Sequence, residues 1–321
     1  MTGAVSPPLV AVPATLLIMT QDELQWHYGS ASADQDHATF LVLGPMPEAE
    51  RQRLEHASRL LLAIGPMSPY AALHDQFRLF EQVVAEVEQA PLDRVQLQGA
   101  VVMRFGSAMD NVLFAFRAFL DRTAHHLSGL YGKDSAQLLA FKKAQSEEYD
   151  RYVEYRLCYK LRNMSQHVGH VISRVRTRGE RDGTGVMGVV SFEVIMEPQK
   201  LLATYDDWGI HVRSDLEEMD DDIQVKDLVV GLETSCKTLM AHLLLAQADA
   251  VAEAISCVRS VAANCGGGEG NAPMSILIKR GDLPVPSDGR LESTFEPVPV
   301  ELADLAERNV DAARLTLASL R

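Results

Sequence analysis

Val112–Phe141 reads VLFAFRAFLDRTAHHLSGLYGKDSAQLLAF, and its spacing decides the fold class. Val112, Phe116, Phe119, Leu120 and Leu127 recur at intervals of the α-helix and form one apolar stripe. Gly129 and then Gly132-Lys133-Asp134 interrupt the pattern, and a second helical periodicity starts at Ser135. Working outward, the pattern predicts one helix within Leu92–Leu130 and another from Ser135 to about Arg176. The second carries Leu138, Phe141, Tyr149, Tyr152, Tyr155 and Tyr159 as its larger side chains. Long helices joined by a short turn pack antiparallel, so a helical hairpin is expected at the heart of the protein.

Further helices are expected from about Glu48 to Ala63, from Ser68-Pro69 to Gln89, from Val225 to Ala262, and from about Val300 onward. Extended segments are expected at Leu9–Thr20, Thr39–Leu43, Val189–Met196, Ile210–Arg213 and Ser275–Lys279. Arg178–Gly188 reads as a basic, glycine-rich turn, and no repeat of 20–50 residues is visible. The fold class is mainly α. A mixed N-terminal region covers 1–65, a helical bundle 66–265 with a β-containing insertion near 183–222, and a loop, short strand and helix 266–321.

Aromatic residues are only 6% of the 321, a balance that favours helix packing over a β-sandwich. The first twenty residues lack a basic leader and are interrupted by Pro7, Pro8 and Pro13, unlike a signal peptide. No run of about 18 uninterrupted apolar residues occurs, so no membrane partner is expected. Cys158, Cys236, Cys257 and Cys265 form no Cys-x-x-Cys pair, which suits a reducing, cytoplasmic setting.

The net charge of −14 argues against non-specific coating of nucleic acid. Its distribution is uneven. Eight basic residues between Arg151 and Arg181 face only Glu154 and Glu180, whereas the rest of the chain holds 22 basic and 42 acidic residues. Such a segment either focuses an anionic substrate or forms a solvated helix face.

Gly183-Thr184-Gly185-Val186-Met187-Gly188 has the string of a dinucleotide fingerprint, but a helix precedes it and a strand follows, the reverse of the required order. The carboxylates Asp215, Glu217, Glu218, Asp220, Asp221 and Asp222 lack the alternating ligands and central glycine of a calcium loop, and read as a solvated loop. His125-His126 has no carboxylate at ligand spacing, and there is no His-Glu-x-x-His, Gly-x-Ser-x-Gly or P-loop. No metal and no cofactor are expected.

Arg162-Asn163-Met164-Ser165-Gln166-His167 carries the remaining chemistry. Cleaving RNA without a metal needs a base for the 2′-hydroxyl, an acid for the leaving 5′-oxygen, and stabilisation of charge on the phosphate. Histidine titrates near neutrality and serves either proton transfer, arginine grips two phosphate oxygens, and asparagine orients one or the other. On a helix, Asn163 and His167 share a face that Arg156, Lys160, His170 and Arg174 extend. Arg162 stands about 140° away and reaches that face only through its long side chain. The spacing also occurs at Arg51–His56, but there Glu48, Glu50 and Glu55 would repel a phosphate.

The stretch Tyr155–His167 resembles the HEPN superfamily of helical domains found in bacterial toxins, antiphage systems and RNA-processing nucleases. Its signature is Arg, a polar residue, a few residues and His, matched by Arg162, Asn163 and His167. Phe116–Asp121 resembles the partner helix. The resemblance covers about residues 90–180 and extends to the helix at 225–262. It implies a HEPN-like antiparallel bundle with short β-containing additions, acting as a homodimeric, metal-independent endoribonuclease in phage defence or as a toxin. RNA is then the substrate, with a regulatory or antitoxin partner. Arg162, Asn163 and His167 are the implied catalytic residues; Arg156, Lys160, His170 and Arg174 are the implied RNA-binding residues. The alternatives are a non-catalytic HEPN-like RNA- or nucleotide-binding module and a helical protein-interaction domain whose basic segment docks an acidic partner or its own Asp215–Asp222 stretch.

Overall fold

A computed structural model of the chain describes residues 26–33, 38–88, 98–169, 171–181, 187–266, 274–280 and 293–320. The expected strand at Leu9–Thr20, residues 182–186 of the expected Arg178–Gly188 turn, and His170 lie outside them. The described residues are mainly helical, with small antiparallel sheets, and divide into two compact units: those within 53–260 and 299–320, and those within 26–52 and 261–298.

The larger unit is a helical bundle. It takes in most of α1 (Glu48–Ile64), then α2 (Pro69–Glu88), α3 (Gln98–Tyr131), α4 (Ala136–Arg151) and α5 (Val153–His167). Gly132, at φ +94°, turns the chain after α3, and Ser135 caps α4 by accepting the Leu138 N–H. The stripe of α3 is fully interior: Val112, Phe116, Phe119 and Leu127 are all at most 1% exposed. Phe116 meets Tyr155 of α5 edge-on at 5.2 Å, and Phe119 meets Phe141 of α4 at 6.1 Å. Such pairs add about 0.5–1.5 kcal/mol each beyond the area they bury.

The single helix expected over Ser135–Arg176 is instead two helices and the start of a strand. Tyr152 is extended (φ −116°, ψ 121°), which releases the Tyr149 and Asp150 carbonyls; the Arg156 guanidinium donates to both. The buried positions Leu138, Phe141, Ala144, Glu148, Tyr155, Cys158 and Leu161 keep helical spacing across the break, so periodicity alone does not see it. The helix then ends at His167, where Val168 caps it and Gly169 turns at φ +134°. Arg174 therefore opens β3 (Arg174–Arg181) rather than extending the helix face.

β3 pairs with β4 (Met187–Met196), so the expected turn at Arg178–Gly188 has both ends in a hairpin. After α6 (Pro198–Thr204), the strand expected at Ile210–Arg213 is helix α7 (Ile210–Glu218). Its core contacts show why: Val212 and Leu216, four residues apart on the helix, are fully buried, a period that four alternating residues cannot reveal. β5 (Ile223–Gln224) adds to β4, giving the order β3-β4-β5.

α8 (Val225–Ala246) is apolar around most of its circumference and packs on α2, α4 and α5. It is the one described helix long and apolar enough to cross a membrane, and 61% of its apolar window is buried inside the protein. The helix expected over Val225–Ala262 is broken at Gln247, whose buried side chain donates to the Leu243 carbonyl and accepts from the Tyr131 hydroxyl. α9 (Ala248–Asn264) follows. α10 (Val300–Ala318) returns to pack on α8 and ends the described chain.

The smaller unit is a sheet of order β2-β1-β6-β7, from β1 (Trp26–Ala33), β2 (Ala38–Pro45), β6 (Met274–Arg280) and β7 (Ser293–Pro297). The N- and C-terminal flanks, read from sequence as separate regions 1–65 and 266–321, thus meet in one sheet through β1 and β6. Ala31, Ile276 and Ile278 form its small core, and Phe40 and Phe295 of the outer strands stack at 4.4 Å. A Cβ on Gly29 would stand 2.5 Å from Ile278 Cδ1 and 2.8 Å from the Leu41 carbonyl, so only glycine fits there.

In the bundle, Thr123 Oγ1 and His126 Nε2 are buried without a hydrogen-bond partner among the described residues, and both side chains line a cavity of about 10 Å³. Burial, then the adjacent His125, lowers the His126 pKa. The unfolded chain takes up this proton near pH 6.5 and the folded protein only at lower pH, so His126 opposes folding as pH falls below about 6.5. Comparing urea midpoints at about pH 7.5 and about pH 5.5 should show a larger acid loss in wild type than in His126→Gln. Equal losses would remove His126 as the source.

Candidate functional site

α5 lies antiparallel to α3 in a register set by side chains. Ser165 hydrogen-bonds Asp110, the Arg162 guanidinium lies 5.9 Å from the Phe114 ring centroid, and Arg117 lies 5.1 Å over Tyr159 while also donating to its hydroxyl. As numbers rise along α3 they fall along α5. The apolar sides of both helices face inward, with Leu157, Cys158, Leu161 and Met164 buried on α5. This leaves Arg162, Asn163 and His167 toward the outside.

Arg162 and Asn163 are half-buried and in contact: Arg162 Nη1 donates to Asn163 Oδ1 at 3.2 Å. Arg162 Nε is buried with no hydrogen-bond partner among the described residues. Among those residues Arg162 also forms no ion pair with a carboxylate. His167 is exposed at the last position of the helix. It lies five residues beyond Arg162, about 7.5 Å along the axis. The structure therefore joins Arg162 to Asn163 and Phe114, with His167 further along α5.

The residues expected to hold RNA have different company. Arg156 makes a two-pronged ion pair with Asp215 of α7, at 2.5 and 2.7 Å, with both side chains under 20% exposed. Lys160 donates to the Asp207 carbonyl at 2.9 Å and lies 3.6 Å from its carboxylate. Arg174 pairs with Asp222 at 2.7 Å and Glu197 at 3.1 Å, and Arg176 with Asp222 at 2.8 Å and Glu193 at 3.2 Å. His170 lies outside the described residues. The basic segment is thus largely compensated by the chain that follows it. The Asp215–Asp222 stretch is correspondingly not a solvated loop: it is helical to Glu218, and Asp215 and Asp222 are held by arginines. The arginines hold the Asp222 carboxyl below its ordinary range, and Asp215 holds Arg156 above its own.

Sequence reasoning did not single out Phe114, Asp110, Tyr159 or Ser165 as site residues. Phe114 was detectable in principle, because it lies off the buried stripe of α3 and is 43% exposed. The Asp110–Ser165 contact depends on how two helices align and has no local signal. Among the described residues, no three His, Cys, Asp or Glu side chains assemble into a metal-binding group.

Comparison with family models, curated proteins and solved structures returns no match, so the chemistry of these side chains carries the functional reading.

The Arg156–Asp215 pair should be coupled more strongly than a surface pair. In double-mutant cycles on unfolding free energy, Arg156→Ala with Asp215→Ala should give about 1–3 kcal/mol. Arg314 with Asp311, both 62% exposed, should give about 0.5 kcal/mol or less. Equal couplings would show that α7 is held by its apolar residues alone.

Proposed function

We propose that the chain is a metal-independent endoribonuclease of HEPN type, working as a homodimer in phage defence or as a toxin. One observation supports this above the others. Arg162 has no carboxylate partner among the described residues, while Arg156, Lys160, Arg174 and Arg176 all do. A guanidinium left without an anion, braced by Asn163 and Phe114 and followed by an exposed histidine, is suited to receive a phosphate.

In this reading Arg162 binds the scissile phosphate and stabilises the charge that grows on its oxygens, with Asn163 fixing the guanidinium. The 2′-oxygen attacks phosphorus as its proton passes to one imidazole. The P–O5′ bond breaks as the departing oxygen takes a proton from another. The products are a 2′,3′-cyclic phosphate and a 5′-hydroxyl. Each protomer offers one His167, so a homodimer with the two motifs facing each other supplies both roles. Exposed Phe114, which lies against Arg162 from α3, and exposed Val168, which follows His167, favour burial against a second copy.

A second reading has its own support. Asp215 and Asp222 neutralise Arg156, Arg174 and Arg176 within the chain, as expected if the basic segment serves only to hold α7 and the β3-β4-β5 sheet in place. The two readings part on RNA ends in cells expressing wild type, Arg162→Ala or His167→Ala. The nuclease reading expects growth arrest and new 5′-hydroxyl and 2′,3′-cyclic ends in wild type, reduced about 100-fold or more in both variants. Identical growth and RNA ends in all three, with purified dimer failing to cut RNA, would leave the structural reading.

A further inference from the structure

Next to the Arg162–Phe114 contact, the α3–α5 groove opens into a cleft of about 520 Å³ that is also walled by α4. Its lining includes Arg117 and Asp121 from α3, Gln145, Tyr149 and Asp150 from α4, and Tyr159 from α5. Tyr149 and Tyr159 stand at 90° to each other with ring centroids 6.1 Å apart. The Arg117 guanidinium covers Tyr159 and is itself held by Asp121, at 2.9 Å from Nε. The cleft therefore has a braced aromatic wall and a rim of hydrogen-bonding groups. The larger groove between α9 and α10, about 590 Å³, has no aromatic lining, and its Arg259 and Arg314 are bound to carboxylates.

Position links this cleft to the proposed active centre. Tyr159 precedes Arg162 by three residues, about 4.5 Å along α5. Arg117 follows Phe114 by three residues on α3. A phosphate at Arg162 would thus place a neighbouring base within reach of the aromatic wall. Single-stranded RNA is read by stacking its bases on aromatic or guanidinium planes and by hydrogen-bonding their Watson–Crick edges.

We propose that the cleft between α3, α4 and α5 is a base-recognition subsite that takes an unpaired guanine of the RNA, stacked on Tyr149. The choice among bases follows from the rim. Asp121 is engaged by Arg117, so Asp150 is the carboxylate acceptor of the rim, and Gln145 offers both a donor and an acceptor. Guanine alone presents two adjacent donors, N1–H and the 2-amino group, which one carboxylate accepts together. Adenine and cytosine each offer an amino group beside an acceptor, and uracil a single N–H. The subsite deepens the ribonuclease reading and rests on it for its biological purpose, but base binding does not require cleavage.

Titration of the full-length protein with GMP, AMP, CMP and UMP, followed by tyrosine fluorescence and by NMR of the nucleotide, tests this directly. GMP should bind most tightly. Tyr149→Ala should weaken it about tenfold or more, the loss expected for one stacked base, whereas Tyr149→Phe retains the ring and the binding. Ser146→Trp, which fills the cleft from an exposed position, should weaken GMP as Tyr149→Ala does. His167→Ala should bind GMP like wild type even where RNA cleavage is lost, which separates this subsite from the catalytic reading. Saturable GMP binding unchanged in both Tyr149→Ala and Ser146→Trp would overturn the subsite. Absence of binding by wild type at millimolar nucleotide would do the same, whatever the RNA-end experiment shows. Equal affinity for all four nucleotides would overturn the assignment to guanine.

Discussion

The seam between α3 and α5 is the contact on which the rest of the bundle depends. Phe116 and Tyr155 meet edge to face at its centre, both at most 2% exposed. On its solvent side, Ser165–Asp110, Arg162–Phe114 and Arg117–Tyr159 follow one another at helical intervals. Burying the aromatic pair fixes the distance between the helices, and the polar contacts fix their register. A shift of one turn would move Arg162 away from Phe114 and leave Asp110 without Ser165. The candidate site and the candidate base cleft are therefore two stretches of one groove.

Electrostatics divides the basic segment into two populations. Arg156 sits in a partly buried, two-pronged pair that links α5 to α7, and its remaining donors satisfy carbonyls freed at the Tyr152 break. Arg174 and Arg176 share Asp222 and so tie the β3–β4 hairpin to the strand leading into α8. Removing one partner of the shielded Arg156–Asp215 pair strands the other, so Arg156 is committed to the fold. Arg162 differs in what surrounds it: an asparagine oxygen and an aromatic ring rather than a carboxylate. A charge count along the chain treats all of them alike; only their neighbours distinguish them.

Much of the bundle was legible because apolar spacing is a local property. The extents of α1 and α2 follow from periodicity and from Gly65-Pro66 and Pro69 at their ends, and α10 starts at Val300 as expected. The breaks at Tyr152 and Gln247 were not legible. Neither residue is a helix breaker, and each break is completed by a side-chain hydrogen bond that apolar spacing does not report: from the Arg156 guanidinium one turn on, and from the Tyr131 hydroxyl of another helix. Segment Ile210–Glu218 failed in the opposite way, since a short alternating run looks like a strand until Leu216, four residues after Val212, extends the count.

By itself the sequence determined the helical class, the apolar stripe of α3, and the adjacency of Arg162 to Asn163 with His167 one turn beyond. Those are properties of residues within a few positions of each other, where helix geometry leaves little freedom. Tertiary structure alone decided which cations are neutralised, that Phe114 covers Arg162, that Tyr149 and Tyr159 wall a cleft, and that β1 and β6 share a sheet. Each of these joins groups far apart in the chain, whose meeting depends on how whole elements pack rather than on any pattern within one of them.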